Sequence, residues 1–267
     1  MAKVNPNFGL TGAVGNLSFY KRWDIDKPLV RTPGGATKEQ IKTSPKFART
    51  RELNAEFGGR ATASQWIMHA CWPLKALADY NIAGPVNTQI KPVQSLDTES
   101  LRGRRNIILS ANPRLLEGFS FNRRTTFDSV IRTPLSAVVN RETLSARVDI
   151  PALLPGINFY KPEMQPDCPM FGVVALLGLV PDLFFSEHGY KSANGYVQHM
   201  HKQATTPWFP MLKGADATTL EIELGMVPPD QSFSLVLGIG VRFGTMIDAG
   251  TVQQVKRTGV AKILATA

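Results

Sequence analysis

The sequence predicts a mixed α+β chain, in which an N-terminal arm and a helical hairpin precede one or two antiparallel β-sandwich (Ig-like) modules. Three observations point there. Glycine and asparagine punctuate residues 1–35 too often for a long helix. Apolar residues then recur at helical spacing between Thr37 and Tyr80. Beyond residue 106, short apolar runs alternate with Gly- and Pro-bearing turns, the spacing of a sandwich. The implied divisions are 1–35 for a basic arm, 36–105 for the helical hairpin and linker, and 106–267 for the β region, with a split into two modules near 151–168.

In the arm, Leu17-Ser18-Phe19-Tyr20-Lys21-Arg22-Trp23 reads as a strand and residues 28–33 as its return, joined by Asp24-Ile25-Asp26-Lys27. A lone hairpin is marginal in water, so this one must pack on its own domain or on a neighbour. Thr37 with Gln40 matches a capping box, and Ser44-Pro45 restarts a helix with a capping serine and a proline at its first position. Phe47, Leu53 and Phe57 share roughly one face of that helix, and Gly58-Gly59 is expected to end it. A second helix, about 62–80, carries Trp66, Ile67, Cys71, Trp72 and Leu77, with a kink expected at Pro73. The two helices are expected to pair antiparallel. Residues 85–105 read as a polar connection. Strands are expected at 106–110, 117–121, 128–133, 135–139, 144–150, 170–177, 196–202, 219–224, 233–243 and 259–265. Residues 144–150 alternate, whereas 170–177 are continuously apolar, as in a strand covered on both faces. No period of about 20–50 residues recurs, so a repeat array is excluded.

Several segments resemble one group of proteins. They are Leu235-Val236-Leu237-Gly238-Ile239-Gly240-Val241-Arg242-Phe243 with Val260-Ala261-Lys262-Ile263-Leu264, Gly103-Arg104-Arg105-Asn106 through Gly118-Phe119-Ser120-Phe121-Asn122, and Gly12-Ala13-Val14-Gly15-Asn16 with Arg31 and Gln40. Together they resemble a group of uncharacterised Bacteroidota proteins. That group pairs a Gly-rich basic N-terminal ribbon and helix with a C-terminal β-sandwich region. The resemblance implies this architecture and no catalytic residue.

Composition narrows the function. With 267 residues, 43% hydrophobic and 19% charged, the chain can bury a core. Its most apolar stretch, 171–180, is interrupted by Gly178 and falls short of the ~18 residues a membrane helix needs. Two cysteines exclude a multi-bridge framework and leave one disulfide or two free thiols open. The opening Met1-Ala2-Lys3-Val4-Asn5-Pro6 lacks the layout of a secretory signal, so cytoplasmic synthesis is expected, with any release occurring as part of an assembly. The net charge of +9 is uneven: residues 1–132 hold 20 Lys/Arg against 10 Asp/Glu, and residues 133–267 hold 10 against 11. A basic half favours nucleic acid, an anionic surface or a second copy as partner.

No catalytic constellation emerges. His199 and His201, two residues apart on an expected strand, are the metal candidates, with His188 or Glu187 as a third ligand; two surface histidines at a sheet edge are the preferred reading. Gly34-Gly35 ahead of a helix could cradle a phosphate, but the P-loop lysine and hydroxyl are missing. Gly238, Gly240 and Gly244 lie inside a strand pattern and mark a bulge or a close backbone approach, not a dinucleotide fingerprint. Glu221 and Glu223 alternate with apolar residues on a solvent face, Cys71 reads as core, and Gly-x-Ser-x-Gly is absent. No cofactor is expected. The reading is a non-enzymatic structural protein that self-assembles as a filament, tube or virion-like shell. The arm residues Phe19, Tyr20, Lys21, Arg22, Trp23, Lys27 and Arg31 would lie on the next copy. Nucleic-acid binding or packaging through the basic half is the alternative, since aromatics interleaved with cations hold single strands.

Overall fold

A computed structural model describes residues 3–5, 9–22, 25–32, 35–162, 168–248 and 250–267, with the backbone alone at 3–5, 9–10, 21–22 and 25–28. The chain is a mixed α+β protein, mostly β, with one long helix and several antiparallel sheets. Its contacts form two compact units, 1–51 and 52–267. Among the described residues, no helix is long and apolar enough to cross a membrane.

The first unit opens with β1 (Lys3–Asn5), β2 (Gly9–Val14), β3 (Leu17–Arg22) and β4 (Ile25–Arg31), a sequential antiparallel sheet. Val14 pairs with Leu17 across a two-residue turn, and Gly15 takes the positive φ of +55° that such a turn requires. Helix α1 (Lys38–Thr43) starts at the expected capping box: Gln40 N donates to Thr37 Oγ1 (3.2 Å) while Thr37 N donates to Gln40 Oε1 (2.9 Å).

Helix α2 (Ala48–Ala70) is the long one, and it corrects the expected stop at Gly58-Gly59. Both glycines are helical. Gly58 faces open space, but a Cβ on Gly59 would meet the Tyr190 ring at 2.6 Å, so that glycine serves packing and not termination. The helix ends instead at Cys71, where ψ turns to 22°, and Pro73 enters the first turn of α3 (Trp72–Lys75). The expected linker 85–105 largely forms α4 (Ala83–Ser95), whose Val86, Ile90 and Val93 recur at helical spacing and are buried. Two further expected strands are turns. Residues 106–110 hold the isolated bridge Ile107–Leu183 and enter a 3-10 turn at Leu109, residues 117–121 hold a plain turn and the isolated bridge Ser120–Lys262, and 128–133 begins within α5 (Phe127–Val130).

The remaining strands are β5 (Ser136–Asn140), β6 (Ser145–Ile150), β7 (Met170–Pro181), β8 (Phe184–Ser186), β9 (Gly189–Lys191), β10 (His201–Thr205), β11 (Phe209–Pro210), β12 (Thr218–Glu223), β13 (Phe233–Met246) and β14 (Val252–Thr266). The large sheet runs β10-β7-β13-β14 with β11 also on β7; a second sheet runs β12-β6-β5, and β8 pairs with β9. Strand β7 is buried almost throughout, as its unbroken apolar run predicts.

Period-two geometry splits the large sheet's side chains between two cores. Phe171, Val173, Ala175, Leu177 and Leu179 join Leu235, Leu237, Ile239 and Val241 in one cluster with Val148, Ile150, Leu220 and Ile222 of the three-stranded sheet. Val174, Leu176, Val180 and Val236 join the other with Ile67, Leu74, Leu77 and Ile90 of the helices. Gly178, Gly238 and Gly240 fall on this second face, and there the helices come closest. A Cβ at Gly178 would stand 2.5 Å from the Ala70 carbonyl oxygen; one at Gly238 would collide with Leu74, and one at Gly240 would lie 2.6 Å from Leu77 Cδ1. Side-chain-free positions thus let α3 lie against the sheet.

A polar network closes the helical side. Arg60 Nη1 donates to Gln94 Oε1 (2.7 Å), and Gln94 Nε2 donates to Tyr190 Oη (3.1 Å) and to the Arg105 carbonyl (3.3 Å). Beside it, buried Glu56 accepts from Gly103 N (2.9 Å). Burial pushes the Tyr190 hydroxyl up to about 12, with the Glu56 charge adding to the shift.

Candidate functional site

Two surfaces merit attention, and the N-terminal sheet is the one the sequence singles out. Phe19 pairs with Gly12 on one side and Val30 on the other. Directly opposed residues share a face, as do residues two apart on one strand, so Val14, Leu17, Phe19 and Val30 form one apolar face. Val14, Leu17 and Val30 are 52%, 42% and 51% exposed. Among the side chains described in residues 1–51, none is buried. Tyr20 lies on the opposite face with Arg31, whose guanidinium sits 5.5 Å from its ring. Lys21 and Arg22 belong to β3 and Lys27 to β4, but their side chains lie outside the described residues, as does Trp23 altogether.

The second surface is a histidine cluster that corrects the strand expected at 196–202. His199 sits in a turn with φ of +68°, and only His201 opens β10, so the two rings do not share one face of a strand. The third member is neither His188, exposed between β8 and β9, nor Glu187, but His69 near the end of α2. Its ring lies 4.3 Å from that of His199, centroid to centroid; His199 and His201 are 6.3 Å apart, and Trp72 stacks 6.0 Å from His69. The pairing follows from topology: His201 is opposite Gly178 on β7, the glycine against which Ala70 rests.

Burial, then the His199 charge and Lys75, holds the His69 imidazole below its ordinary value of 6.5. Burial and the His199 charge do the same to His201, opposed by a hydrogen bond from its ring to the His69 main chain. The Nδ1 atoms of His69 and His201 are both buried without a hydrogen-bond partner. Among the described residues, no three of His, Cys, Asp and Glu are arranged to hold a metal ion. Two helix residues and a turn more than a hundred positions later meet only through the sheet, so nothing in the local sequence marks His69 as a member.

The other sequence candidates fall into structural roles. Gly34 lies outside the described residues, and the helix start beside it is satisfied by its own capping box. Glu221 is exposed on β12 and pairs with Arg147 at 3.3 Å. Cys71 and Cys168 are buried in different cores, and burial pushes the Cys71 thiol up to about 12.

Comparison with protein-family models, with curated proteins and with solved structures finds no match to this chain.

Proposed function

We propose that this chain is a non-enzymatic structural protein that associates with copies of itself through its N-terminal sheet. One observation carries the reading: Val14, Leu17, Phe19 and Val30 line one face of that sheet, and none of them is buried. A small sheet with an uncovered apolar face is marginal in water and gains by covering it. Each half-exposed side chain would contribute on the order of 1 kcal/mol on burial. Screened surface ion pairs contribute only about 0–1 kcal/mol each. Apolar contact therefore drives the association, and the cations of the arm orient it. The edges at β1 and β4, which pair with no further described strand, add a route for pairing with a strand of the neighbour.

The finer fold reading is a two-sheet sandwich backed by helices, supported by the core that the large and three-stranded sheets share. Nucleic-acid binding is the second reading, favoured by the excess of 20 Lys/Arg over 10 Asp/Glu in residues 1–132.

The test compares Val30→Asp with Arg31→Ala by sedimentation velocity over a range of concentrations. Val30→Asp should shift the distribution toward the monomer, and Arg31→Ala should change it little. If Arg31→Ala is the more disruptive and the wild-type protein carries nucleic acid, the second reading replaces the first.

A further inference from the structure

Cations from three separate segments line one concave region of the larger unit, and Lys75, whose ammonium lies 4.8 Å from the centre of the Trp72 ring, borders the histidine cluster as well. A hollow of ≈ 630 Å³ is lined by Lys75, Asp79, Tyr80, Lys256 and Arg257. A neighbouring hollow of ≈ 180 Å³ is lined by Asp79, Asn122, Arg124 and Arg257. Asp79 and Arg257 line both, so the two hollows adjoin. Arg123 adjoins the region through Tyr80, its guanidinium 4.4 Å from the centre of that ring.

We propose that this concavity binds an anion carrying more than one phosphate group. Four exposed cations, Lys75, Arg124, Lys256 and Arg257, line the two hollows with one carboxylate, and none of the four forms an ion pair with a described residue. The single carboxylate has another task. Asp79 accepts the backbone N–H groups of Arg123 (2.9 and 3.1 Å) and Arg124 (3.0 Å), which holds the two arginines beside the hollow. Asn122 behind them is buried and anchored, donating to the Leu77 and Gly259 carbonyls at 2.9 and 3.0 Å. The turn that presents the arginines is therefore fixed to both the segment after α3 and β14.

Arg257 is the second, independent observation. Its φ is +58°, a left-handed conformation that glycine or asparagine adopts more readily. Its N–H donates to the Ala76 carbonyl at 3.1 Å, tying this bend to the segment after α3. A large cation thus stands at a strained position, where both hollows meet. Clefts lined by charge of one sign focus the field and raise the local concentration of counter-ions. The cations are spread across two hollows and do not converge on one point, which suits a ligand with several phosphates. A nucleic-acid backbone and a nucleoside polyphosphate offer that same chemistry.

The experiment uses the full chain at low salt. A fluorescein-labelled single-stranded oligothymidylate is followed by anisotropy, and ATP and pyrophosphate by calorimetry. The variants are Lys256→Gln/Arg257→Asn, in which asparagine tolerates the left-handed backbone, and separately Arg124→Ala. A control, Lys202→Gln/Lys213→Gln, removes two charges elsewhere. We expect the wild type to bind one of these probes, tenfold weaker binding or worse in either site variant, and less than a twofold change in the control. Tighter binding of the oligonucleotide than of ATP assigns the backbone as ligand; the reverse order assigns the polyphosphate. The proposal is overturned if no probe binds at low salt. It is equally overturned if the site variants, with unchanged thermal unfolding, bind as well as the control does.

Discussion

Replacing Gly178 by alanine tests how the helices lie on the large sheet. In a strand with nothing above it, Gly→Ala stabilises by up to about 1 kcal/mol, because glycine loses more chain entropy on folding. Here the new Cβ would stand 2.5 Å from the Ala70 carbonyl oxygen, 2.8 Å from Ala70 Cβ and 2.9 Å from its carbonyl carbon. Comfortable contact needs about 3.5–4.0 Å, so the end of α2 must lift by about 1 Å. A gap of that size forfeits a quarter to a half of a contact's dispersion energy. Leu74 and Leu77, both fully buried beneath the lifted segment, are worth about 1.5–3 kcal/mol each, so their combined loss is about 1–3 kcal/mol. Overpacking substitutions in other cores cost the same range. For a chain of this length each kcal/mol moves Tm by about 2–4 °C, which places the fall at about 2–12 °C. Gly58→Ala is the control: it lies in the same helix with no atom within 4 Å of the new Cβ and should raise Tm by about 2–4 °C. Thermal unfolding followed by circular dichroism reads both. A Gly178→Ala protein as stable as wild type, or more so, would refute the close approach of helix to sheet.

Acid should weaken the fold through the histidine cluster. His69 and His201 have folded pKa values below 6.5, so the unfolded chain binds more protons; their contribution is complete above pH 6.5 and is lost as pH falls from there toward the folded values. Melting curves between pH 7.5 and 5.5 should show this loss, and His201→Gln should flatten it; an unchanged slope in that variant would rule the cluster out as its source. Gln94→Leu strands Tyr190, Arg60 and the Arg105 carbonyl and should cost about 2–3 kcal/mol in urea unfolding, whereas a neutral result would show the network to be dispensable. A chelator should leave Tm unchanged, and a fall restored by zinc would reveal a metal at the histidines.

What the sequence discloses follows the range of the interactions. The capping box at Thr37 and Gln40 is local chemistry and is legible residue by residue. The apolar run at 170–177 is equally legible, because a strand covered on both faces needs no polar side. Gly238 and Gly240 announce a close approach, although which leucines approach them is decided by tertiary packing. Gly58-Gly59 misleads because a helix stop and a packing glycine have the same composition; the Tyr190 ring that distinguishes them comes from a hairpin more than a hundred residues later. Helix α4 is hidden by Pro85 and Pro92, which read as loop punctuation although Val86, Ile90 and Val93 keep helical spacing. At the histidines, the pair 199 and 201 is visible as a spacing, but a left-handed turn at His199 breaks the strand on which that reading depends. The concave basic region draws on three distant segments, so only the overall charge excess foreshadows it.

The central claim is that the N-terminal sheet joins copies of this chain. The most direct measurement is sedimentation velocity at moderate salt, comparing the full chain with one lacking residues 1–35 at equal concentration. The account predicts that the full chain sediments as assemblies well above its 29.3 kDa mass and that the shortened chain sediments as a folded monomer. A full chain that remains monomeric at every concentration, or a shortened chain that forms the same assemblies, would contradict it.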